Sequence, residues 1–296
     1  MLVIVGYLVV LLTVFGGFAL SGGALGSLYQ PTELLIIGGS GVGAFLVANN
    51  GKGIRATLKA IPHLLKSSRY TKALYMDLMA MMYLVLTKSR QSGLMTLEKD
   101  IDDPQNSAIF SAYPRLLADA SLMNFVVDYL RLMISGSMDA FEIEALMDED
   151  IETSEHEHEV PASSLNALGD AFPAFGIVAA VMGVVNALAA ADRPAAELGA
   201  LIAHAMVGTF LGILLAYGFV LPLASLLRQK SSEQIKMLQC IRITLLSSMH
   251  GYAPQIAVEF GRKTLFSSER PSFAELEEHV REVKLSANSS ASERTS

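Results

Sequence analysis

PAFGIVAAVMGVVNALAAADRPAAELGALIAHAMVGTFLGILLAYGFVLPL, residues 173–223, decides how this chain folds. Two apolar runs are parted only by ADRPAAE, residues 191–197. An α-helix needs about 20 mostly apolar residues to cross the hydrocarbon of a bilayer. Ala171–Ala191 and Leu198–Leu221 therefore read as membrane spans. Working outward, Leu2–Leu20 and Leu34–Val47 have the same character. The second of these is short and Gly-rich, and taken alone it equally suits a buried core helix. Four such runs, split two and two by a long charged segment, predict an all-α integral membrane protein with four transmembrane helices, a large helical cytoplasmic insertion between spans two and three, and a helical cytoplasmic tail.

The composition agrees. The chain has 296 residues, 52% of them hydrophobic, and a mean hydropathy of +0.42, against about 45–50% apolar in a typical soluble protein. The formal charge of −7 comes with no basic stripe and no Trp, which argues against a nucleic-acid partner. Cys240 is the only cysteine, so no intrachain disulfide is possible. Leu2 begins the first apolar run with no Lys or Arg before it, unlike the basic start of a cleaved signal peptide. That run is expected to be a retained span. Ser21–Thr32 has no Lys or Arg, whereas Lys52, Arg55, Lys59, Lys66 and Arg69 follow span two, and Arg228 and Lys230 follow span four. Basic residues concentrate on the cytoplasmic side, so both termini and the middle segment are expected there.

The expected organisation is 1–49 for spans one and two, 50–169 for a cytoplasmic helical domain, 170–222 for spans three and four, 223–284 for a helical tail and 285–296 for a disordered, Ser-rich end. In the middle domain, Thr71–Gln91, Pro114–Ser135 and Met138–Asp150 carry apolar residues at spacings of three and four, the period of an amphipathic helix. Gly93, Pro104 and Gly136 punctuate them. Glu152–Glu159, reading ETSEHEHE, is expected to be a solvated linker. Metal binding by its His156 and His158 is the weaker reading, because a flexible tract lacks the fixed outer shell that orients ligands. Arg228–Ser248 suits a continuation of span four, and Ser272-Phe-Ala-Glu275 is a capping box opening a last helix.

Lipid gives helices no hydrophobic reason to associate, so close packing relies on small residues. Gly39 and Gly43, then Gly176, Ala180, Gly183 and Ala187, then Gly208, Gly212 and Ala216 form such stripes. They serve either packing within the chain or contact with another chain's helix. Thr209 either bonds a carbonyl one turn back or lines a pathway. His204 lies nearer the outer end and is expected to be structural. Glu33, Asp170, Asp192, Arg193 and Glu197 are placed at span edges, where water lowers the cost of charge. Asp170 and Pro173 suit the start of span three and Pro222 its counterpart at the end of span four. Boundary chemistry explains both prolines, and so does a hinge at the cytoplasmic leaflet. No carboxylate is expected at depth, so any proton carrier is to come from another chain.

Residues 173–223, the N-terminal GYLVVLLTVFGGF and the tail GYAPQIAVEFGRKTLFSSERPSF resemble the MotA/TolQ/ExbB proton channel family, specifically the MotA flagellar motor stators of enteric bacteria. The resemblance covers nearly the whole chain, except the last dozen residues. It implies a ring of five chains around two copies of MotB in the bacterial inner membrane, proton flow as the coupling current, no further cofactor, and torque on the rotor protein FliG. MotB supplies the membrane Asp and a peptidoglycan anchor. By the same resemblance, Arg90 and Glu98 face FliG, Pro173 and Pro222 couple conformational change, and Thr209 lies beside the partner's Asp, with Gly176, Ala180 and Gly212 on the pathway walls. Were their helix continuous, Arg90 and Glu98 would lie within about a quarter turn of each other. An ExbB- or TolQ-like motor, generally with three spans, and a non-conducting membrane scaffold are the alternatives. Enzyme activity is not expected: the chain has no HExxH spacing, no phosphate loop and no nucleophile elbow.

Overall fold

The structure, a computed structural model, describes residues 2–64 and 68–293, with the side chains of 63 and 284–293 left aside. Lys66 and the last three residues, 294–296, lie outside that range. Every regular element among the described residues is helical: α1 Leu2–Leu20, α2 Pro31–Ala48, α3 Gly51–Leu64, α4 Lys72–Ser92, α5 Glu98–Asp102, α6 Pro114–Leu117, α7 Ala120–Ser135, α8 Ala140–Ala189, α9 Ala195–Ile213, α10 Leu221–Met249, α11 Pro254–Thr264 and α12 Phe273–Glu293. A π-helical stretch, Leu214–Val220, joins α9 to α10. Four of the helices are long and apolar enough to cross a membrane.

The chain forms two compact units, Met1–Ser67 with His156–Ser231, and Ser68–Glu155 with Ser232–Ser296. The first contains the four spans. Its interior is thin: Ile37, Phe172, Ala179 and Ala216 are buried together, while Leu2, Leu8, Leu12, Val47, Val181 and Leu188 turn outward. That inversion is what a lipid environment permits. The backbones of α8 and α9 meet closely. A Cβ placed on Gly176 would lie 2.8 Å from the Gly208 carbonyl oxygen, and one on Gly212 would lie 2.6 Å from that of Phe172. Gly183 meets Ala205 in the same way. These small residues thus serve packing within the chain, whereas Gly39 and Gly43 have nothing of the chain within 4 Å. Tyr7 and Phe219 stack with ring centroids 4.9 Å apart, and Phe15 meets Phe210 edge-on.

The second unit is packed as a soluble domain is. Leu78, Met81, Met82, Val85 and Leu86 of α4, Val126 and Leu130 of α7, Ile143 and Met147 of α8, and Ile241 and Leu245 of α10 are all 2% exposed or less. Local signals set the helix ends, the capping box at Ser272 and the break at Gly136 as the sequence predicts. Thr71 caps α4 by accepting from the Leu74 N–H, and Ser272 and Glu275 exchange the two bonds of a capping box. Gly136, at φ 60°, ends α7. Arg242 ties α10 to α8 through Glu144 at 2.9 Å and Asp148 at 2.6 Å.

Several expected boundaries move. Pro114–Ser135 is two helices, because Asp119 caps α7 with its own side chain. Met138–Asp150 is only the start of α8, a 50-residue helix that runs through the acidic tract 152–159. Glu is a good helix former, and neither Gly nor Pro interrupts that tract. The linker expected there is therefore helix. α3 and residues 156–169 belong to the same unit as the spans rather than to the middle domain. At the other end, α12 extends to Glu293, beyond the expected limit at 284.

Candidate functional site

Two groups of residues stand out, one in each unit. In the unit with the spans, Gly176 and Ala180 on α8 face Gly208, Thr209 and Gly212 on α9. A Cβ on Gly176 would be 3.2 Å from the Gly212 Cα and 3.4 Å from that of Thr209, so these residues form one wall. Thr209 is half-buried. Thr13, Thr57 and Thr244 each donate to a carbonyl one turn back, at 2.7, 2.8 and 2.7 Å. Among the described residues, none pairs with the Thr209 hydroxyl in this way, which leaves it available in a wall of glycine and alanine backbone.

Neither proline lies at a free helix end. Pro173 lies deep inside α8, and Asp170 does not cap that helix but accepts from the Asn166 side-chain amide at 2.8 Å. Pro222 is the second residue of α10, which continues straight from the π-helical stretch. A proline in a helix lacks the N–H that would bond the carbonyl four residues earlier. For Pro173 that carbonyl is Gly169's. Gly169 packs against Leu221, with a built Cβ 2.6 Å from its Cδ2, and Leu221 is the residue before Pro222. The two weakened points thus lie against each other. The π-helical stretch spreads the disruption at Pro222 over a full turn, and the Tyr7 hydroxyl donates to the Phe219 carbonyl at 2.9 Å. Pro161 is a second proline within α8, and it is buried.

Glu33 departs most from expectation. Although it is only the third residue of α2, its side chain is 9% exposed and its Oε2 has no hydrogen-bond partner. A Cβ on Gly208 would be 2.9 Å from that oxygen, 3.1 Å from the Ala179 Cβ and 3.3 Å from the Ala180 nitrogen. Gly208 is near the middle of the apolar run Leu198–Leu221. A carboxyl group is therefore at depth, not at a span edge. α2 begins well inside the stretch covered by α9, a register no single-chain hydropathy pattern reveals. The only advance signal was Pro31, which sets the helix start two residues before Glu33.

In the second unit, α4 stops at Ser92 because Gly93 adopts φ 89°. A short 3₁₀ turn, Leu94–Leu97, leads into α5. The continuous helix that would align Arg90 with Glu98 is absent, so the quarter-turn alignment does not hold. Both side chains are exposed, one on each arm of the corner. Leu97 and Ile101 anchor the corner in the core at 0 and 2% exposure. Lys88 pairs with Asp100 at 2.5 Å, and Asp100 also accepts from the Ser107 hydroxyl at 2.8 Å. Arg131 reaches Asp102 at 3.1 Å. Sequence reasoning missed these braces, which engage the neighbouring charges and leave Arg90 and Glu98 without ion pairs among the described residues. Elsewhere in this unit, burial raises the carboxyl of Asp77 from its ordinary value, opposed by the charges of His279 and Arg115. His156 and His158 lie on α8, and no group of three or more metal-ligand side chains occurs among the described residues.

Four apolar spans, a small-residue wall and a charged, braced corner define an all-helical membrane protein. Residues 4–93 match the family "Motility protein A N-terminal", and residues 118–240 match the "MotA/TolQ/ExbB proton channel family". Motility protein A of Salmonella typhimurium and that of Escherichia coli are each 69% identical over 284 residues, covering 96% of both chains compared. Chemotaxis protein LafT of Vibrio parahaemolyticus is 34% identical over 94% of this chain and 97% of its own. Among solved structures, that of C. jejuni MotAB superposes with a TM-score of 0.75 at 21% identity, covering 91% of this chain and 98% of that one. The flagellar MotAB stator complex from Bacillus subtilis gives 0.68 at 25% identity, covering 86% and 92%. The chain belongs to the motility protein A group of the MotA/TolQ/ExbB proton channel family. Its function is that of a flagellar stator subunit, which turns proton-motive force into rotation.

Proposed function

We propose that five copies of this chain surround two copies of MotB in a bacterial inner membrane, with both termini in the cytoplasm, and that the ring drives the rotor protein FliG. Protons are the coupling ion and no other cofactor takes part. The role is mechanical and conductive, not enzymatic. The identity of 69% over nearly the full length of two motility proteins carries this reading.

In this reading, protons pass between the MotB helices and the wall of Gly176, Ala180, Thr209 and Gly212. The unengaged Thr209 hydroxyl faces the partner's Asp and offers it a hydrogen bond. Protonation of that Asp removes a charge from a low-dielectric site, where a charge is costly, and changes which helix neighbour it prefers. Pro173 and Pro222 yield to the resulting strain, since each lacks a backbone hydrogen bond. The exposed, unpaired Arg90 and Glu98 then engage complementary charges on FliG. The energy scale suits repeated stepping. One charge crossing 100 mV releases about 2.3 kcal/mol, while an exposed ion pair is worth about 0.2–1 kcal/mol. Contacts of that strength are made and broken on such a supply.

Charge reversal tests the rotor contact. Arg90→Glu is expected to stop swimming while the complex with MotB still purifies intact, and a reversing change on FliG is expected to restore part of the motion. Normal swimming of a double reversal, Arg90→Glu with Glu98→Lys, on an unchanged rotor overturns it. Pro173→Ala is expected to lower torque and leave MotB binding unchanged; lost assembly assigns the proline to folding instead.

A further inference from the structure

We propose that Glu33 is a proton-binding station of this chain itself, handing protons to water at the level of Thr209; the inference rests on the proton-conducting role above. Four observations converge on it. The side chain is 9% exposed, and Oε2 has no hydrogen-bond partner. It lies where α2 meets the crossing of α8 and α9, against Gly208 and Ala179. Thr209, with its unengaged hydroxyl, is the next residue along α9. His204 is one turn before Gly208, so the two share a face of α9. From α8, Ala179 and Ala180 meet this place, and neither carries a charge.

A carboxylate with no cation paired to it and no hydrogen bond is expensive in an apolar interior. A membrane protein retains such a group where it has work to do. Here Gly208 provides the room: a Cβ at that position would come within 2.9 Å of the carboxyl oxygen, which would have to shift. The step itself is simple. The Glu33 carboxylic acid gives its proton to a water molecule beside Thr209, leaving a carboxylate and a hydronium ion. A second hydronium, arriving from the side of His204, returns a proton to the carboxylate and leaves as water. No bond other than O–H forms or breaks, and the carboxyl ends as it began. Glu33 thus acts in series with the partner's Asp, as a supply to it.

The test uses the full-length chain with MotB lacking its plug, with proton uptake followed by a pH-sensitive dye in cells and in reconstituted vesicles. Glu33→Gln is expected to lower the flux about tenfold, a modest share of what a positioned proton donor contributes, with the complex still purifying intact. Glu33→Asp is expected to recover most of the flux. Wild-type flux in Glu33→Gln overturns the proposal. An absence of flux in the wild-type complex overturns the conducting role instead, so the two failures are distinct. If Glu33→Gln does not assemble, infrared difference spectra of Glu33→Asp and wild type decide. The C=O band of a protonated carboxylic acid, shifted between the two, supports the station; no such band in either overturns it.

Discussion

The two units solve packing in opposite ways. Around α4 and α7 the interior is filled by large side chains, with Leu78, Leu86, Val126 and Leu130 all 2% exposed or less. Where α8 meets α9, the interior is almost all backbone, with glycines facing carbonyls. Water drives the first arrangement, because burying large apolar groups removes them from it. Lipid offers no such drive, so the second depends on close contact of backbones and on dispersion. The first arrangement resists movement because it is thick and interlocked. The second brings helices together with few side chains to rearrange, which suits a wall beside a moving partner.

Deleting volume should hurt the thick core most. Leu86→Ala is expected to cost about 2–5 kcal/mol, read as a lowered melting temperature in detergent together with exposure of the buried Cys240 thiol to alkylation. Adding volume should hurt the thin wall. Gly212→Ala places a Cβ 2.6 Å from the Phe172 carbonyl oxygen, so about 1–3 kcal/mol is expected. Gly199→Ala on the same helix has nothing of the chain within 4 Å and serves as the control, expected to be neutral or stabilising. Equal effects of the two glycine changes would erase the contrast between backbone packing and open surface. Asp119→Ala removes the cap of α7 and is expected to cost about 1 kcal/mol, seen only in the second unit by hydrogen exchange.

The smallest effect is electrostatic. Glu275 bonds to Lys72 and to the Ser272 backbone, which together hold its carboxyl down at about 2 from an ordinary 4.5. A group whose folded value is lowered stabilises the fold fully above its unfolded value and loses that contribution as pH falls. The window is therefore below 4.5 and down to about 2. Carboxyl NMR titration should show Lys72→Met moving Glu275 back toward its ordinary value, with no change in the spans.

What was legible follows the same division. Hydropathy and the Ser272–Glu275 box depend on neighbours in sequence, and both appear as read. The linker at 152–159 was misread because acidic composition marks solvation, and a helix face is solvated as readily as a loop. The break after Arg90 was half visible in Gly93, whose positive φ required the fold to show it. The braces at Lys88, Asp100 and Ser107 reach across the turns that separate short helices, 12 and 7 residues apart, and no helical spacing announces them.

By itself the sequence determined that this chain spans a membrane four times, which helices form, and which family it joins, since these follow from hydrophobic run lengths, caps and an unbroken likeness. Tertiary structure alone decided the depth of Glu33, the meeting of Gly169 with Leu221 beside two prolines, and the freedom of Arg90 and Glu98. Each depends on how one helix is shifted along another, and side-chain contacts between helices, rather than any property along a single helix, set that shift.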